Sequence, residues 1–267
     1  LVATDQMVDT PTNNFCTMNP LAGGDGSGGG QVLSEGNLKD TAATDNSGIA
    51  LTMGLPGSGK WYWEWEVEDY ETAMFIGIYA PEKVTLDAGT TTSEGFWIYR
   101  GDTGNIYGGG SNASYGNAWN SAGDIVGVAA DMDNGALYFS VNNTWQNSGV
   151  PTSGATKTGA AATDLLTTGY DWVPALKMHH TSSGVLNLNC GQDSSFAGEK
   201  TAQGNQDGNE VGDFYYEPPT DYLALCTDNL SADLDITLPG EHFNTVLYTG
   251  DGAVSHAITI PSAPEDE

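Results

Sequence analysis

Positive charge is what this chain has least of. Its 267 residues hold seven Lys+Arg against 35 Asp+Glu, a formal net charge of −28 at pH 7. A surface without basic clusters has nothing with which to displace the counterions of a phosphate backbone, so nucleic acid is excluded as a partner. The same shortage removes the polybasic patch that docks a protein on an anionic lipid surface. No apolar run approaches the roughly 20 residues of a membrane-spanning helix, so membrane insertion is not expected. Strong helix formers are scarce, with six lysines and one arginine in the whole sequence, and an all-α fold is a poor expectation. Cysteine is sparse: Cys16, Cys190 and Cys226. An odd count at wide spacing is neither a C-x-x-C metal site nor a disulfide framework. The three read as buried thiols, with a Cys190–Cys226 or Cys16–Cys226 bridge as the alternative.

What the chain does have is apolar and aromatic material between turns. Hydrophobic residues make up 39% and aromatics 10%, with seven Trp and 12 Tyr, more than a disordered acidic segment carries. The 36 glycines, interspersed with Asn, Asp, Ser and Thr, supply turn chemistry. The sharpest local signal is Trp61-Tyr-Trp63-Glu-Trp65-Glu-Val67-Glu68. It alternates with period two, placing three Trp on one face and three Glu on the other, as a half-buried strand does. Further strands are read at 32–38, 49–53, 75–79, 96–99, 105–107, 124–130, 136–141, 172–178, 185–189, 234–238 and 244–248, with a helical turn at 160–166. Asp133-Asn134-Gly135 predicts a type I′ hairpin turn, because Asn-Gly tolerates the positive φ angles this turn requires. Many short strands punctuated by turns predict an all-β antiparallel sandwich. The expected organisation is an N-terminal segment at 1–40 packing on or joining the sandwich, the sandwich at 41–230 with a polar insertion at 194–213, and a β-rich extension and tail at 231–267.

At Gly59-Lys-Trp-Tyr-Trp-Glu-Trp-Glu-Val67 the sequence resembles the SPRY domain, a concanavalin-like β-sandwich of jelly-roll type. The order continues with Ile76-Gly77-Ile78, Tyr115-Gly116, Gly123-Asp-Ile-Val-Gly-Val128, Asp131-Met-Asp-Asn-Gly135-Ala-Leu137-Tyr-Phe139 and Trp172-Val-Pro174-Ala175. It runs over about residues 45–192. The flanks, Asp9–Pro20 and Asn189–Gln192 with Phe214–Leu230, are similar to the edges of SPRY modules in structural proteins of tailed bacteriophages, tail-fibre-like proteins above all. His242–Gly250 is similar to the opening of a further module. The resemblance implies a virion-surface protein, with other virion proteins as partners and self-association, a trimer being favoured. It also implies that Trp63, Trp65, Phe139 and Trp172 are structural core.

Candidate chemistry is thin. Gly54-Leu-Pro-Gly-Ser-Gly59-Lys60 has the outline of a phosphate loop, but Trp61 stands where a Mg²⁺-binding Ser or Thr is needed and a strand follows. His179 and His180 are adjacent, so on a strand they point to opposite faces and do not share a metal. His242 and His256 have no visible partners. Glu64, Glu66 and Glu68 lie about 7 Å apart at successive i, i+2 positions, inside the inverting-glycosidase range. The simpler reading is the solvated face of an antiparallel strand. Asp131-Met-Asp133-Asn-Gly135 has the first half of a calcium loop without its closing Glu. Asp207, Asn209 and Asp213 in the insertion are the oxygen-rich candidates for Ca²⁺; no other cofactor is expected. Tyr107, Tyr115, Trp119 and Trp145, placed among Gly and Asn, are the expected recognition groups, since rings with a polar tip suit sugar or protein contacts.

The functional expectation is a non-enzymatic virion protein, a tail-fibre or capsid-surface adhesin whose loops contact a host-surface glycan or protein. A purely architectural decoration or spacer is the alternative, and a polysaccharide-degrading fibre enzyme a weaker one. The acidic surface suits a saline setting, where the Debye length falls below about 10 Å and self-repulsion is screened. Thermal unfolding measured across an ionic-strength series should therefore show a midpoint that rises with salt; indifference to salt removes the saline reading.

Overall fold

The structure, a computed structural model, describes residues 13–25, 31–42, 47–71, 73–86, 94–178 and 184–230. The chain divides into two compact units, Leu1–Asn229 and Leu230–Glu267. The expected strands at 234–238 and 244–248, the flank upstream of residue 13, and all four histidines lie outside the described residues.

Two sheets form the unit. One has seven antiparallel strands in the order β1 (Met18–Asp25), β4 (Ser47–Leu51), β13 (Val173–Met178), β6 (Met74–Tyr79), β7 (Phe96–Arg100), β8 (Asn105–Gly108) and β9 (Ser111–Ser114). The other runs β12 (Thr144–Trp145), β11 (Ala136–Val141), β10 (Ile125–Asp131), β5 (Lys60–Asp69), β14 (Val185–Asn189), β3 (Lys39–Ala42) and β2 (Gln31–Ser34). Its eighth strand, β15 (Leu223–Ala224), pairs in parallel with the first part of β5. Helical segments among the described residues are short 3₁₀ turns such as Gln146–Ser148 and Pro151–Thr156. This is the all-β antiparallel sandwich expected from the turn-punctuated sequence.

Alternation along β5 sets the core. Trp63 faces Val128 and Trp65 faces Val126 across the β5–β10 ladder, and both Trp side chains are fully buried, as are Phe139 and, to 1%, Trp172. These four are the expected core residues. Each contributes about 2–3 kcal/mol through apolar area withdrawn from water. Tyr99 on β7 reaches Phe139 from the opposite sheet at 5.2 Å, so the two inner faces meet through rings.

Several local expectations change. β5 is not half-buried: from Trp61 to Val67 every residue is buried. Its second face lies under the segment 189–226, which packs Phe214, Tyr222 and Ala224 with Phe15 against Tyr62, Ala129 and Tyr138. Position 131–136 is a hairpin, but its loop is four residues long. Asp131 pairs with Ala136, and of the loop residues only Gly135 has positive φ, +74°. The two-residue turn with positive φ at both positions belongs to Asn142 and Asn143 (49° and 63°) between β11 and β12, the geometry of type I′. The strand read at 32–38 splits into β2 and β3 around Glu35-Gly36-Asn37, all at positive φ. The stretch 160–166 holds an isolated bridge, Leu137 with Ala162, instead of a helical turn, and β1, β9, β12 and β15 have no counterpart among the strands expected from sequence.

One charge sits inside this core. Asp40 on β3 pairs with Leu186, and Leu186 with Val67, so the register turns Asp40 toward the Trp face of β5. It is 0% exposed, and the Val32 backbone is the one hydrogen-bonding group that opposes its burial. Burial pushes its pKa from 3.8 up to about 7. The unfolded chain therefore releases this proton first as pH rises, and stability falls between about pH 4 and 7. Asp40→Asn should raise the unfolding midpoint at pH 8 by several degrees, leave it nearly unchanged at pH 4.5, and flatten part of the decline between them. Denaturation scans at the two pH values check this.

Candidate functional site

The first candidates to locate are the strand carboxylates. Glu64 and Glu66 are 0% and 2% exposed, not the solvated face that alternation suggested, because residues 189–226 lie over them. Glu64 Oε1 accepts from the Tyr62 hydroxyl (3.0 Å) and the Tyr216 N–H (2.8 Å). Its Oε2 accepts from the Tyr215 N–H (2.8 Å) and Asn189 Nδ2 (3.2 Å). Two residues on, Glu66 accepts from Asn187 Nδ2 (2.8 Å) and stands 3.6 Å from Lys200 Nζ. Glu68 meets Lys39 at 2.5 Å. Asn189 is directly opposite Glu64, and Asn187 opposite Glu66, so the row is a cross-strand carboxylate–amide ladder. Burial raises Glu64 to about 7 against the four donors that lower it, and burial likewise raises Glu66. These acids hold a chain segment down and do not flank an open cleft.

The insertion residues are also engaged. Asp207 Oδ1 accepts from the N–H groups of Asn209 and Val211, and Oδ2 from the Ala224 N–H and Asn229 Nδ2, all between 2.7 and 3.0 Å. Asn209 Nδ2 donates to Asn229 Oδ1. The Asp213 N–H bonds Gly191 O. The lone pairs of Asp207 thus point at N–H donors. Among the described residues no group of three or more His, Cys, Asp or Glu is placed to hold a metal ion. Asp131 caps its own hairpin by accepting from the N–H groups of Asp133 and Asn134.

The expected recognition rings are mostly inside. Trp119 is 0% exposed, Tyr115 7% and Tyr107 8%. Tyr115 packs edge-on against Tyr99 and Phe139, Trp119 against Tyr70, and Tyr107 against Phe75. Their Gly- and Asn-rich stretches of sequence do not carry them to the surface. Trp145 on β12 is half-buried and packs on the cluster under residues 189–226.

The surface rings that converge are Trp97 and Tyr170. Trp97 stands opposite Gly108 on β8. A Cβ on Gly109, at φ +54°, would sit 2.8 Å from its ring, so the indole lies flat on bare backbone. Tyr170 packs edge-on against Trp172 at 5.7 Å, and Lys83 Nζ stands 5.5 Å from its ring centre and 3.8 Å from Glu94. Between them is a cavity of about 220 Å³ lined by Glu94, Trp97, Gly109, Asp164, Thr168 and Tyr170 among others. A second, of about 230 Å³, continues past Tyr170 and Trp172 to Leu55, Met132 and Leu166. Leu166 is 45% exposed. Asp164 Oδ1 is buried there without a partner. The chemistry on offer is two aromatic rings, two carboxylates and a hydroxyl. The sequence carried one usable signal: a Trp set against a run of glycines has no side chains to bury it.

Residues 60–161 match the profile of the SPRY domain. Among solved structures, the SPRY domain of human HERC1 is similar, with a TM-score of 0.50 at 14% identity over 64% of this chain and 96% of that one. At that identity the likeness is one of fold. No curated protein matches the sequence. The sandwich thus has the fold seen in SPRY domains, with β1–β4, β13–β15 and the segment over β5 lying outside the matched stretch.

Glu64→Gln replaces an acceptor of four hydrogen bonds by a group that must turn an NH₂ toward one of the two backbone N–H donors. It should cost about 1–3 kcal/mol and open the segment 194–216 to limited proteolysis ahead of global unfolding. Wild-type resistance in the variant would show that the ladder does not hold that segment.

Proposed function

We propose that this chain is a non-enzymatic recognition module that binds a host-surface glycan in the Trp97–Tyr170 cleft, and that it is carried, as a homo-oligomer, on the surface of a tailed-bacteriophage virion. The observation that carries the reading is the pair of half-buried rings facing carboxylates across adjoining cavities. A sugar offers a C–H face to an aromatic ring and hydroxyls to acceptors such as Glu94 and Asp164. With Lys83 as the cation beside Glu94 and Tyr170 and a net charge of −28, the ligand that fits is neutral or an amino sugar, not an anionic one.

Two further features support a displayed module. The chain enters and leaves the sandwich side by side: Phe15 bridges Cys226, the Asn14 N–H bonds Thr227 Oγ1 at 2.9 Å, and the Thr227 N–H returns to Asn14 O at 3.0 Å. A unit closed in this way can be carried on flanking chain without strain crossing its core. The phage-like flank sequences, 9–20 and 214–230, supply the virion setting.

Binding to an array of host-envelope saccharides tests the proposal. Wild type should bind, and Trp97→Ala and Tyr170→Ala should each weaken binding at least about tenfold, near 1.4 kcal/mol, with unfolding midpoints within a few degrees of wild type. Tight incorporation into particles without saccharide binding would favour the architectural role and overturn the glycan reading.

A further inference from the structure

The three cysteines that the sequence keeps far apart meet at one corner of the sandwich. All are free thiols and all are 0% exposed. Cys16 lies between Phe15, which bridges Cys226, and β1. Cys190 follows β14 directly. A single side chain fixes two of them. Gln192 Nε2 donates to Cys16 O at 2.9 Å, and Gln192 Oε1 accepts from the Cys190 N–H at 2.5 Å, so the two backbones stand on either side of one carboxamide.

The Thr52 hydroxyl donates to Cys16 Sγ at 3.7 Å, and the Cys190 side chain is the neighbour that most offsets burial at that sulfur. Burial works against a thiolate at Cys16, but the donors Cys190, Thr52 and the backbone at Thr52 and Met53 outweigh it and hold its pKa below the ordinary value. Burial pushes Cys190 up. Cys226 is otherwise engaged, with hydrogen bonds to the backbone of Asp228 and Asn229 and to the Asn13 side chain.

We propose that Cys16 and Cys190 form a built disulfide site, closed by exchange with a small-molecule disulfide, and that Cys226 remains a thiol. Cys16 thiolate attacks one sulfur of RS–SR, forming a Cys16–S–SR bond and releasing RS⁻. That anion takes the Cys190 proton and leaves as RSH. Cys190 thiolate then attacks Cys16 Sγ and expels the second RS⁻, which takes up the proton Cys16 had given to solvent. Two thiols are oxidised and one external disulfide is reduced. Because both sulfurs are buried, exchange proceeds while the segment around Cys16 is undocked. The closed bond ties that segment, and through the Phe15–Cys226 bridge the departing chain, to the end of β14. The structure shows the reduced form.

The experiment holds the full chain, purified under reductant, with glutathione disulfide in sub-denaturing urea. After removal of the urea it is alkylated under denaturing conditions and mapped by mass spectrometry. The expected product has lost two hydrogen atoms, links the Cys16 and Cys190 peptides, and carries one alkyl group, on Cys226. Its unfolding midpoint should lie several degrees above that of the reduced protein. Cys226→Ser should keep both the link and the shift, and Cys16→Ser should lose both. Three alkylated cysteines, a stable glutathione adduct, or a link through Cys226 would each overturn the assignment.

Discussion

The carboxylate of Glu64 is the point on which the architecture turns. It sits mid-strand on β5 with no exposure, and four donors from three parts of the chain aim at it. A charge-assisted acceptor of this kind is stronger than a neutral one, but removing it from water opposes ionisation, and the raised pKa records that burial outweighs the donors. The consequence is geometric. Two successive backbone N–H groups, at Tyr215 and Tyr216, are pinned over the sheet. That places Phe214 edge-on against Tyr62 at 5.2 Å and lets β15 pair with the stretch of β5 that β14 does not reach. A two-sheet sandwich thus gains a packed outer layer from a segment with almost no regular structure.

The opposite outer face follows the same logic with apolar groups in place of the acid. Phe75, Ile98, Tyr107 and Ala175 form a cluster beneath Leu86, and the cleft opens beside this side of the fold. Its walls depend on glycine in a specific way. At Gly109 and Gly95 an added Cβ would meet Trp97 and Lys83 within 2.9 Å, so absent side chains leave room for present ones. The ring of Trp97 is held by backbone, which limits its rotation and lowers the entropy lost when a ligand stacks on it.

The strand inventory was legible because period-two alternation and turn residues are local. What was not legible was coverage. Glu64, Glu66 and Glu68 alternate like a solvent face, and no local pattern says that a segment about 150 residues later lies on two of them. Trp119 and Tyr115 are the opposite case: Gly and Asn around them read as exposed loop, whereas both rings pack against Tyr99 inside the fold. Asp207 was misjudged for a related reason. An oxygen-rich loop looks like a cation site until its backbone N–H groups are seen to turn inward to the carboxylate. Trp97 and Tyr170 are separated by 73 positions, and only the folded arrangement puts them on one cleft.

The charge and the cleft together constrain how this surface could adhere. Long-range attraction to an anionic envelope is denied by the excess of acid, and the cleft repeats the bias with Glu94 and Asp164. Contacts that remain are short-ranged: ring stacking and hydrogen bonds to hydroxyls, which salt barely screens. On the proposed reading, such contacts in cavities near 220 Å³ would give weak binding per site, because little apolar area is buried to offset the lost freedom of the ligand. Useful adhesion would then require several copies held at fixed spacing, so that each further contact forms at high effective concentration. A rigid sandwich whose two chain ends are clipped together at Phe15 and Cys226 is suited to such an array, since its orientation can be set by the flanking chain alone.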